Sequence, residues 1–186
     1  MSNTQKHKVF ISYHHANDED DKKYFVELFS NMLNGFIDNS VWDGDIDDAN
    51  LSSEQIYKKI RDEYIKDSTV TIVLIGKETW KRKHIDWEIA TSLVNGSKNK
   101  RNGLIGILLP SRDDYGKTNY DACTIPPRLH DNTKCGYAKI YDWSDDVDFI
   151  KKIIHEAYEN RDKIKPNNSR DRFINNKKDY LKSWSE

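Results

Sequence analysis

The chain has 186 residues, enough for one domain with a substantial core, and carries a formal net charge of -1 although 33% of its residues are charged. That balance supplies no basic footprint for nucleic acid and requires no polyanionic partner. Residues 1–8 hold no apolar run of signal-peptide length, and no later run approaches the roughly 20 apolar residues that cross a bilayer, so a cytoplasmic protein is expected.

The run from Lys8 to Tyr13 is β-rich and delivers its end into the polar loop that starts at His14 and His15. Phe25, Leu28, Phe29, Met32, Leu33 and Phe36 then recur at three and four residues, which predicts an amphipathic helix. A weak short strand is expected over residues 40–43. An acidic loop follows, and Ser52 or Ser53 caps a helix marked by Ile56, Ile60 and Tyr64.

Residues 70–75 form a continuous β-branched run, as expected of a central strand buried on both faces of a parallel sheet. The next helix carries Ile85, Ile89 and Leu93 at four-residue spacing, with Gly96 as its expected terminator. A second buried strand spans 103–109 and stops at Pro110. The polar stretch 111–134 accommodates a short helix at most, and a strand at 137–141 precedes a final helix expected to be capped by Ser144, with Ile150, Ile153, Ile154 and Ala157 inward. This order predicts an α/β fold with a doubly wound, mostly parallel sheet of about five strands. The polar tail after 165 carries Phe173, Tyr180, Leu181 and Trp184, so it is expected to dock on the domain or on a partner.

Strand ends converge in such a fold and gather Ser12, Tyr13, His14, His15, Trp42 and Asp43 around one crevice. Aromatic walls with a few placed polar groups suit a nucleotide or sugar ligand, although Tyr13 and Trp42 can equally be covers for the sheet ends. Glu88 lies near the carboxyl end of the central strand, at the margin of the Ile85 and Ile89 stripe. A partly buried carboxylate there would have a raised pKa or hold ligand hydroxyls tightly. By spacing alone the plainer reading leads: a first-turn glutamate favoured by the helix dipole.

Several chemistries are set aside. Asp43, Asp45, Asp47 and Glu54 match four positions of a calcium-loop template, but Asp48 stands where its glycine belongs, so a flexible loop over the crevice is the better reading. Cys123 and Cys135 lack zinc-site spacing and are expected to be free thiols. Dinucleotide-fold, phosphate-loop and nucleophile-elbow motifs are missing.

The 9–13 strand, the loop from Trp42, the 71–76 strand and the segment from Trp80 to Ile89 together resemble the TIR domain, specifically the bacterial TIR-like branch of Thoeris antiphage defence. The resemblance covers residues 6–160 and leaves 161–186 as a C-terminal extension. It implies a flavodoxin-like fold and cleavage of NAD+ at the nicotinamide-ribose bond, with Glu88 as the catalytic carboxylate. Phe10, Ser12, Tyr13 and His14 then form the strand-one side of the pocket, Trp42 and Asp43 begin its loop, and Trp80, His84 and Trp87 flank the glutamate. NAD+ enters as substrate, with no separate cofactor and no metal. The implied product is ADP-ribose or a cyclic isomer that signals to a separate effector, switched on by a phage-derived activator; self-assembly is among the implied partners, and no membrane or nucleic-acid partner is. The alternatives are a noncatalytic adaptor acting through TIR-TIR assembly and a nucleoside-transferring enzyme using the same kind of carboxylate.

Overall fold

The computed structural model describes residues 7–30, 40–42, 44–96 and 100–185, together with the backbone of 36–37. Among these, four strands of four to six residues form the body of a parallel sheet: β1 (Val9–Ser12), β3 (Val70–Ile75), β4 (Gly103–Leu108) and β5 (Ala138–Asp142). A two-residue strand, β2 (Phe36–Ile37), pairs with Val9 and Phe10 at the edge, giving the order β2-β1-β3-β4-β5.

The edge is where the expected elements differ. Residues 40–42 form no strand: the Val41 N–H donates to Glu88 and the Trp42 N–H donates to the Asp45 carboxylate at 2.8 Å, so neither is available to a ladder. The first helix, α1, covers His15–Phe29, and Phe36 stands in β2 instead of on the helix face; Met32 and Leu33 lie outside the described residues.

Every residue of β3 is buried, as the β-branched run requires, and its side chains alternate between two cores. Val70, Ile72 and Leu74 face α1 and α5 (Val147–Lys163), meeting Phe25, Phe29, Ile150 and Ile154. Val73 and Ile75 face the opposite layer, with Ile85 and Ile89 of α3 (Lys83–Ser92) and Leu129 of α4 (Pro127–Lys134). Beside them α2 (Ser53–Glu63) packs Ile56 and Ile60 on Phe10 and Trp87. At Gly103 a Cβ would collide with the Ala157 carbonyl, so the missing side chain lets α5 lie directly on β4.

The caps show how local chemistry sets the helix ends. Ser52 and Gln55 form a reciprocal capping box on α2. On α5 the cap is Asp146, not Ser144: its carboxylate accepts from the Asp148 and Phe149 N–H groups, while Ser144 accepts from Asp146. α3 stops at Ser92, well before Gly96. In the polar insert, α4 and a 3-10 turn at Ala122–Thr124 are the regular elements among the described residues.

After α5 the chain doubles back, and residues 164–185 cross α4 and α3 as irregular backbone. Trp184 anchors the far end, its indole N–H donating to the Ile125 carbonyl at 2.7 Å and its main-chain N–H to the Cys123 carbonyl at 2.9 Å. Among the described residues no helix is long and apolar enough to cross a membrane.

Candidate active site

β1 and β3 are adjacent, yet the chain leaves β1 toward β2 on one side and reaches β3 on the other. The crevice outside their carboxyl ends is therefore the topological switch point, where open α/β sheets bind ligands. The β1 end supplies Ser12 to this crevice, and α3 supplies Glu88. Glu88 is the sixth residue of α3, past the first turn, where Asp86 sits instead. A preference for the helix dipole therefore does not account for it.

Glu88 is 0% exposed. Ser12 Oγ donates to one carboxyl oxygen at 2.5 Å and the Val41 N–H donates to the other at 2.7 Å. Burial pushes the carboxyl up to about 8, against the opposing pull of these two hydrogen bonds, which favour the charged form. Behind it, Ser92 Oγ donates to the Glu88 carbonyl at 2.9 Å and lies 2.7 Å from Thr71 Oγ1. Asn102 continues this buried polar chain by donating to Thr71 and Ser68. The Glu88 turn is thus tied to β3 and to the residue before β4.

In front lies a cleft of about 220 Å³, lined by Tyr13, His14, His15, Val41, Trp42, Arg82 and His84 among others. Tyr13 and His15 have ring centroids 4.5 Å apart, and Trp42 meets His15 edge-on at 4.1 Å. The row is braced from behind: Tyr13 donates to Glu19 at 2.5 Å, and His15 Nε2 lies 2.6 Å from Ser40 Oγ. Trp42 remains 56% exposed. The volume is below the roughly 300 Å³ at which small-molecule pockets usually begin. Val41 belongs both to the cleft wall and to the carboxylate's hydrogen-bond set, and so stands between Glu88 and the cleft.

The residues singled out in the sequence separate into three groups. Ser12 and Glu88 are bonded to each other, and Tyr13, His14, Trp42 and His84 line the cleft. Phe10, Trp80 and Trp87 are buried away from it: Phe10 and Trp87 share a core with Ile56 and Ile60, and the Trp87 indole donates to the Phe173 carbonyl at 2.8 Å. Asp43 lies outside the described residues. The acidic loop after it is tethered, with Ile46 buried, Asp48 3.0 Å from Lys83 Nζ, and the Asp45 carbonyl accepting from Lys59. Sequence reasoning missed Val41 and Arg82. Val41 acts through its backbone, which side-chain patterning does not register, and Arg82 was visible only as part of a charged run.

A buried carboxyl at the switch point of a parallel sheet, beside a cleft walled by aromatic rings, defines an α/β domain of the class that places ligand sites at its strand ends. A family model described as Thoeris protein ThsB, TIR-like domain, matches residues 10–114, more than half of the chain, and the chain belongs to that family. It is also similar to a Bacillus cereus (strain MSX-D12) protein named "Putative cyclic ADP-D-ribose synthase ThsB1". The two are 29% identical over 115 residues, covering 59% of this chain and 55% of that protein. The chain thus spans about half the length of the curated relative it matches.

Proposed function

We propose that this protein is an NAD+-cleaving TIR enzyme of antiphage defence that makes a cyclic ADP-ribose-type signal for a separate effector. The observation that carries this reading is Glu88, oriented by Ser12 and the Val41 N–H and buried behind Val41, which lines an aromatic cleft. Membership of the ThsB family and the name of the Bacillus relative support it. The catalytic unit is taken as residues 6–160, a five-stranded flavodoxin-like sheet if β2 is counted, with 161–186 as an extension whose described residues, through 185, lie against it.

In this reading the cleft receives the nicotinamide-ribose end of NAD+, and the Tyr13, His15 and Trp42 rings offer flat surfaces for the base. His14 and His84 add hydrogen-bonding groups, and Arg82 brings positive charge toward the phosphates. Val41 withdraws so that the Glu88 carboxyl meets the ribose hydroxyls. Scission of the glycosidic bond releases nicotinamide with the bonding electron pair and leaves oxocarbenium character at the ribose carbon. Ribose hydroxyls donating to Glu88 and the adjacent positive charge favour its ionised form over the protonated form that burial favours, and the carboxylate then stabilises the developing charge. Capture by water gives ADP-ribose, and capture by a nucleophilic atom of the adenosine end gives a cyclic isomer. Ser12 holds the carboxyl in orientation throughout.

Incubation of purified protein with NAD+ under activating conditions, followed by chromatography and mass spectrometry, tests this. Release of nicotinamide with a product lighter than ADP-ribose by one water is the expected result, and Glu88→Gln abolishes it. Sustained inertness toward NAD+ under activating conditions overturns the reading. It would favour a noncatalytic adaptor, to which the exposed Trp42, Ile174 and Tyr180 side chains offer contact surface.

A further inference from the structure

The helix that carries Glu88 lacks its own start signal. Its N-cap position is Arg82, which provides no side-chain acceptor, so the first-turn N–H groups need partners from elsewhere. Asn176, 93 residues further along, supplies one: its Oδ1 accepts from the Lys83 N–H at 2.9 Å. The tail then follows the helix turn by turn. The Lys177 N–H donates to the Lys81 carbonyl at 2.7 Å, and Lys81 Nζ donates to the Asp179 carbonyl at 2.8 Å. The Phe173 N–H donates to the Asp86 carboxylate at 3.0 Å, while the Phe173 carbonyl takes the Trp87 indole. Asn168 donates to the Ala90 carbonyl at 3.1 Å.

These contacts bracket Glu88 on both sides along α3, at Lys83, Asp86, Trp87 and Ala90. The carboxyl itself is oriented from the sheet side by Ser12 and Val41. The tail lies outside the 10–114 family match, so the support comes from a part of the chain that the shared domain does not include.

We propose that residues 168–179 form a built-in strap that holds the Glu88 helix in register with Ser12, and that Asn176 is a positioning residue for the reaction through its cap on Lys83. The catalytic part of this claim rests on the NAD+ reading above. The strap's mechanical part does not. An acceptor at position 176 keeps the first turn of α3 wound. Without it the Lys83 N–H loses its partner, the turn frays, and the geometry between Glu88 and Ser12 loosens.

The test uses the full chain with Asn176→Ala and Asn176→Asp. Asn176→Asp retains an oxygen acceptor, and its charge suits a helix N-terminus. Hydrogen exchange of the α3 amides is expected to quicken by about fivefold in Asn176→Ala, the loss typical of a removed cap, with β3 and β4 unaffected and Asn176→Asp restored. NAD+ turnover is expected to fall in kcat with little change in KM for Asn176→Ala and to recover in Asn176→Asp. Unchanged α3 exchange overturns the strap, and faster exchange with unaltered turnover overturns its positioning role. Should the parent protein never cleave NAD+ under activating conditions, the proposed activity fails, while the exchange measurement still decides whether the tail holds the helix.

Discussion

Replacing Glu88 with glutamine isolates what it costs to bury a carboxyl at this site. Burial raises the Glu88 pKa from 4.5 to about 8 in the folded protein. Between these values the native state binds the proton and the unfolded chain releases it. Stability contributed by the protonated group is therefore present below the unfolded value and lost as pH rises through the window. The slope is about 1.4 kcal/mol per pH unit, or about 3 kcal/mol between about pH 5 and pH 7. Glutamine is nearly isosteric, keeps an acceptor for the Val41 N–H, and does not titrate. Urea unfolding of both proteins across that range should show a stability difference that grows with pH in favour of Glu88→Gln. Asp18, raised by burial to about 6, and His7, lowered by burial to about 4, titrate in both proteins and cancel in the difference. A difference that stays flat from pH 5 to pH 8 would refute the reasoning, because it would mean that Glu88 is ionised at ordinary cost in the fold. Under the proposed function the same variant is expected to lose NAD+ turnover, so a gain of stability at pH 7 together with a loss of activity is the combined signature.

Other perturbations read other parts of the molecule. Ser12→Ala removes the donor at 2.5 Å from Glu88 and should lower kcat for NAD+ by about tenfold with the fold retained, as checked by nicotinamide release and circular dichroism. Asp86→Ala strands the guanidinium of Arg128, itself 1% exposed and paired to Asp86 at 2.8 Å; a loss of about 3 kcal/mol in urea unfolding is expected. Trp42→Ala deletes an exposed ring of the cleft wall, so stability should change by less than about 0.5 kcal/mol while KM for NAD+ rises, as steady-state kinetics would reveal.

Much of this fold was legible because its signals are local. The run at 70–75 carries unbroken β-branched residues, which only a strand buried on both faces uses well, and the structure buries all six. The inward face of α5 was equally plain, since Ile150, Ile153, Ile154 and Ala157 repeat at helical spacing. Expectations failed where a hydrogen bond from a distant residue settled the matter. Residues 40–42 read as strand-like, but the Val41 and Trp42 N–H groups go to the Glu88 and Asp45 carboxylates. Trp87 reads as a neighbour of Glu88, yet adjacent helical positions diverge by about 100°, so Glu88 turns to Ser12 while Trp87 turns to the α2 core. Ser144 and Asp146 are both good caps, and the choice between them depended on where α5 begins.

The sequence by itself determined the alternation of strands and helices, the two-sided burial of the central sheet, and the arrival of Ser12, the Trp42 loop and Glu88 near the same strand ends. Those follow from periodicity and chain order, which act over a few residues. Only the tertiary structure decided that Glu88 is wholly buried between Ser12 and the Val41 N–H, that its pKa is raised, and that a tail more than 70 residues beyond it along the chain caps its helix. Desolvation and backbone hydrogen bonding depend on which segments meet in space, and residue spacing along the chain does not encode that meeting.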